Sequence, residues 1–162
     1  MLNTVTYGDA PGTPLLIAHG LFGSARNWGV LAKRLSEDRR VIVVDMRNHG
    51  FSEWKQSHSY EDMARDLAGV LDEPADVLGH SMGGILASLY AGLFPEKVKG
   101  VISLDACGPL TLEANTSQAQ MREAILSRKK KQRNKLTLVN LDDAVKARCK
   151  VSDIPAEHAR AI

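Results

Sequence analysis

The chain has 162 residues, 44% of them hydrophobic and 25% charged, with a formal net charge of +2. That length suits one domain with a sizeable core, and the near-balanced charge gives no electrostatic reason for a nucleic-acid or membrane partner. No apolar run approaches the roughly 18 residues of a membrane span, and no signal-peptide pattern follows Met1. Two cysteines, Cys107 and Cys149, are too few for a disulfide scaffold and fit a reducing compartment, so a cytoplasmic setting is expected.

In chain order, Leu15–Ala18 is a brief apolar run that gives way to His19-Gly20, and Trp28, Leu31 and Leu35 recur at helical spacing. Val41–Val44 is wholly β-branched and ends at Asp45. Tyr60, Met63, Ala64, Leu67, Val70 and Leu71 form a longer apolar stripe, with Ser59 and Asp62 placed as a capping box at its start. Val77-Leu78 is short and ends in Gly79. Ile85–Phe94 is apolar nearly all round, which predicts a buried helix stopped by Pro95. Val98–Leu104 is the next run and ends at Asp105. Continuous rather than alternating apolar runs suit strands covered on both faces, as in a parallel sheet flanked by helices. Strand alternating with helix predicts a doubly wound α/β fold.

Beyond Pro109 the character changes. Residues 111–162 are polar and helix-prone, with Leu136–Leu141 the one strand-like stretch. Arg128, Lys129, Lys130, Lys131, Arg133 and Lys135 read as a solvated helix face. No aromatic residues interleave with them, which argues against single-stranded nucleic acid. The expected organisation is a core over 1–110 and a helical segment over 111–162.

The chemistry centres on Gly79-His80-Ser81-Met82-Gly83, followed by Gly84. A serine on a sharp strand-to-helix turn needs small neighbours because the backbones nearly touch there. The turn lifts the hydroxyl clear of the sheet at the positive end of the next helix. The bland alternative is a tight packing turn with a spectator serine. Independently, His19-Gly20-Leu21-Phe22-Gly23 follows a strand. Acyl transfer at a serine needs two backbone N–H donors for the oxyanion, and Leu21 and Met82 are positioned to give them. His19 is expected to brace its loop rather than to act in catalysis.

With these motifs in order, His19 to Ser24, Asp45 to Ser52 and Gly79 to Gly84, the chain resembles the α/β-hydrolase family, in particular its small serine esterases and thioesterases. The resemblance covers about Thr4 to Pro109. It implies the α/β-hydrolase fold, a mostly parallel sheet with helices on both faces, with 111–162 as a cap-like helical tail. It also implies a small-molecule ester or thioester substrate, an acyl-enzyme on Ser81, and no metal or organic cofactor. The family orders its triad Ser, Asp/Glu, His, and in the most similar esterase branch the acid follows the strand after the turn. That position is Asp105; Asp45 is expected to brace the Arg47–Gly50 loop. A serine rather than an aspartate at residue 81 argues against epoxide-hydrolase and dehalogenase chemistry. Carbon–carbon bond hydrolases and lyases share the serine turn and remain rivals, as does a non-catalytic binding protein.

The base is expected to be absent. His19, His49, His58 and His80 precede the nucleophile in motifs the family uses structurally, and His158 lies in the tail as a surface histidine. The family's catalytic histidine follows two further strands. Val98–Leu104 is therefore predicted to be an exposed apolar edge, able to self-associate. The chain reads as a truncated hydrolase in preference to one completed by a partner or a relic with a binding cleft.

Overall fold

The structure is a computed structural model that describes residues 1–106, 119–123, 126, 140–151 and 154–161. Residues 1–109 and 110–162 form two compact units.

The first unit is a five-stranded sheet in the order β1 (Thr4–Tyr7), β3 (Val41–Val44), β2 (Leu15–Ala18), β4 (Ala75–His80), β5 (Val98–Leu104). β2, β3, β4 and β5 run parallel, and β1 pairs antiparallel with β3. The crossovers carry α1 (Gly29–Leu35), α2 (Tyr60–Ala68) and α3 (Met82–Leu93). This is the predicted α/β class.

The pleat explains the unbroken apolar runs. Leu16, Ala18, Ile42, Val44 and Val77 pack on one face against Met63 and Leu67 of α2 and Leu86 and Tyr90 of α3. Leu15, Ile17, Val41, Val43 and Leu78 pack on the other with Ala25 and Ala32. Successive side chains point to opposite faces, so a strand covered on both sides is apolar at every position.

Several local expectations change. Trp28 closes a 3-10 turn (Ala25–Trp28) ahead of α1 rather than lying in the helix. Ser59 caps α2 by accepting from the Asp62 amide at 3.2 Å, but only half of the capping box forms. The Asp62 carboxylate turns instead to Ser57, Arg47 and Arg65. α2 ends at Ala68, so Val70 and Leu71 continue the apolar stripe beyond the helix. α3 is buried along Met82, Leu86 and Tyr90, yet Leu93 is 51% exposed at its end.

β5 is the edge strand, with Val101, Ile102 and Leu104 exposed. In the second unit α4 (Leu141–Val151) and α5 (Ala156–Ala161) are linked by an Arg160–Asp142 ion pair. Leu141, the last residue of the strand-like stretch, opens α4; residues 136–139 lie outside the described residues, as do the cations between 128 and 135 and Cys107 to Pro109. Among the described residues no helix is long and apolar enough to cross a membrane.

Candidate active site

Ser81 stands between β4 and α3 with φ 52° and ψ −118°. A residue with a Cβ is rarely held in this region unless its surroundings force it. The force here is backbone crowding. A Cβ on Gly79 would overlap the Gly83 carbonyl, and one on Gly83 would overlap the Ala18 carbonyl. Strand, turn and helix can therefore meet this closely only with glycine at those positions. The Ser81 amide donates to the Leu104 carbonyl at 2.8 Å, tying the turn to β5. The Met82 amide, at the start of α3, donates to no partner among the described residues.

The loop after β2 lies directly alongside. A Cβ on Gly20 would stand 3.2 Å from the Ser81 Cβ, so this backbone runs against the serine. The loop turns at Gly20–Gly23, where the Gly23 amide donates to the Gly20 carbonyl at 3.0 Å and Phe22 takes φ 63°. Leu21 is exposed within this turn, and its amide has no partner among the described residues.

His19 fixes the start of that loop. Its Nδ1 meets the Gly20 carbonyl at 2.8 Å and its Nε2 accepts from the Met46 amide at 3.0 Å. Those partners require the neutral tautomer with the proton on Nδ1. Burial lowers its pKa below 6.5 and outweighs the Gly20 hydrogen bond and the Asp45 charge, which raise it; the neighbouring His49 adds to the lowering.

Asp45 fixes the end of the loop. Its buried carboxylate accepts from the Ala25 amide at 2.6 Å, the Phe51 amide at 2.9 Å and the Asn3 side chain at 2.8 Å. Burial alone would raise its pKa, but these donors bring it below 3.8. Gly50 has φ 52°, and a Cβ there would overlap the same carboxylate. One step on, buried Arg47 donates to Asp66 at 2.6 Å, a hydrogen bond that with the Asp66 and Asp62 charges holds it more firmly protonated and locks the segment to α2. Asp45 thus braces more than Arg47–Gly50: it also holds the residues after the loop beside Ser81. Asn3, Ala25 and Ser52, whose hydroxyl donates to the Asp45 carbonyl at 2.5 Å, carry no signal of this in sequence. The hint that was present is Gly50 following a strand-end aspartate.

Asp105 follows the Leu104 that receives the Ser81 amide, so it lies at the end of the strand next to the one that carries the serine. It is exposed and has φ 62°. The Ser103 hydroxyl closes this turn onto the Ala106 carbonyl. The histidines are otherwise engaged. His49 meets the Arg47 carbonyl, His58 meets the Asn48 side chain, and the His80 ring packs on Trp28. His158 is exposed beside Glu157 in the second unit. Among the described residues no group of three or more His, Cys, Asp or Glu side chains could hold a metal.

The sequence profile of the alpha/beta hydrolase fold matches residues 13–142. The chain belongs to the alpha/beta hydrolase fold family. Esterase YbfF of Escherichia coli (strain K12) is 40% identical over 97 residues, covering 57% of this chain and 38% of that protein. The sn-1-specific diacylglycerol lipase ABHD11 of Mus musculus is 42% identical over 104 residues, covering 60% of this chain and 34% of that one. The chain therefore aligns with little more than a third of each of these relatives. Among solved structures, a marine microorganism esterase superposes with a TM-score of 0.68 at 32% identity, over 90% of this chain and 55% of its own.

Proposed function

We propose that this chain carries the nucleophile half of a serine hydrolase acting on carboxylic esters or thioesters, with Ser81 as the nucleophilic elbow. The observation that carries this reading is the strained Ser81 backbone, φ 52° between a buried strand and a buried helix, with the Gly20 backbone against it. Esterase and lipase relatives support the ester class.

In the reaction, the Ser81 Oγ attacks the acyl carbon. The new O–C bond forms as the carbonyl electron pair moves to oxygen, and the Leu21 and Met82 amides receive that charge as an oxyanion hole. Collapse breaks the bond to the alcohol or thiol, which leaves with the proton taken from Ser81. Water then releases the acid and restores the hydroxyl. A neutral hydroxyl needs a base to lose that proton. The partners of His19, His49, His58 and His80 commit them elsewhere, so we place the base on a histidine outside residues 1–162, oriented by Asp105. On this reading residues 111–162 belong to the cap of a cytoplasmic enzyme.

The test is labelling with a fluorophosphonate, with and without added imidazole as a substitute base, followed by peptide mass mapping. The expected result is an adduct on Ser81 that forms faster with imidazole and is lost in Ser81→Ala. A folded chain left unlabelled in imidazole, or labelled elsewhere, overturns the reading.

A further inference from the structure

Phe22 occupies a left-handed conformation, φ 63°, that glycine adopts freely and an aromatic residue does not. It is also 91% exposed, so no core packing compensates for that strain. Leu21 beside it is 59% exposed. Both belong to a turn whose first residue, Gly20, runs close against Ser81, where an added Cβ would stand 3.2 Å from the Ser81 Cβ, and His19 and Asp45 hold the two ends of that loop. A strained, solvent-facing aromatic on a rigid loop at a reactive group is placed for contact with a ligand rather than for folding.

We infer that Phe22, with Leu21, is a specificity-determining contact of the Ser81 site: an apolar shelf for the hydrocarbon chain of the substrate. This rests on Ser81 being the nucleophile and narrows the substrate class to esters or thioesters bearing an extended apolar chain, not an acetyl-sized one. The same side chains could receive either the acyl or the alcohol side, and the probes below separate the two.

Alkylfluorophosphonates carry the chain on phosphorus, as an acyl group would; alkoxy analogues carry it on oxygen, as a leaving alcohol would. Labelling rates of the full chain in imidazole are compared for decyl and methyl members of each series. One series is expected to show a decyl-to-methyl ratio of roughly tenfold, the scale of a partly buried alkyl chain. In Phe22→Ala, which keeps the backbone strain and removes the ring, that ratio falls toward about twofold; Phe22→Leu retains most of it. A ratio near one in both series, or a ratio unchanged in Phe22→Ala, overturns the inference. The second readout needs no reactive serine: Ser81→Ala is titrated with decanoate and with decanol by tryptophan fluorescence, since Trp28 packs on His80 beside the site. Binding weakened roughly fivefold by Phe22→Ala supports the shelf even if Ser81 never labels. No binding, or equal binding in both proteins, overturns it.

Discussion

The two sides of Ser81 are built in opposite ways. Toward β2 and β3, the strands are packed on both faces, and the loops that leave them are cross-linked by the buried His19, Asp45 and Arg47. Toward β5, Val101, Ile102 and Leu104 are exposed, and Asp105 has no partner among the described residues. The contrast teaches that, on the proposed reading, the loop beside the serine is held by a dense set of bonds, whereas Asp105 on the β5 side is held by none among the described residues. If the Leu21 and Met82 amides form the proposed oxyanion site, they lose their value when they must be ordered during reaction, so the dense bonding suits that side.

The comparison breaks first where backbones touch. Gly79→Ala forces a methyl into the Gly83 carbonyl and the Gly84 nitrogen, main-chain atoms that cannot turn aside as a side chain would. We expect a loss of about 3 kcal/mol or more, read by urea denaturation. Asp45→Ala comes next. It leaves the Ala25 and Phe51 amides and the Asn3 side chain without their acceptor, at a cost of about 3 kcal/mol. Thermal melting should fall by roughly 10 °C. A melt within a degree or two of the unsubstituted chain would show that these donors find water instead.

Acid sharpens the contrast. His19 has a folded pKa below its unfolded 6.5, so the unfolded chain takes up its proton first. Stability is complete above 6.5 and falls as pH drops below it, because a protonated Nε2 cannot accept from Met46. Asp45, held below 3.8, keeps its contribution through this range and loses it only as pH falls through its lower folded value. His19→Gln should flatten the slope below pH 6.5 in a series of denaturant titrations. An unchanged slope would mean that other groups set it.

At the serine itself, Ser81→Gly should be about 1 kcal/mol more stable than Ser81→Ala, since glycine alone relieves φ 52°. On the β5 side, Ile102→Lys should shift stability by no more than about 0.5 kcal/mol. It should also reduce any concentration-dependent self-association seen by sedimentation, since Ile102 is 47% exposed on the edge.

Much of the fold could be read from runs of apolar residues because the parallel strands are covered on both faces. Val41–Val44 is the plainest case: every position is buried, two on each side. β1 escaped notice for the converse reason. Thr4–Tyr7 is largely exposed and carries no apolar run; only pairing with β3 makes it a strand. The position of Ser81 was legible because close backbone approach demands glycine, and glycine is visible in sequence. The Asp45 bonds were not, because two of their donors are main-chain amides and the third, on Asn3, lies 42 residues away; no side-chain pattern records them. Asp62 similarly looked like a helix cap until Arg47 and Ser57 competed for its carboxylate.

The hydrogen bond from the Ser81 amide to the Leu104 carbonyl has a mechanical consequence. The outermost ribbon of the sheet is fastened directly to the residue proposed as the nucleophile, with no intervening layer to absorb displacement. Whatever zips onto that ribbon will pull on the bend at residue 81, and deuterium uptake at its amide will register the tug.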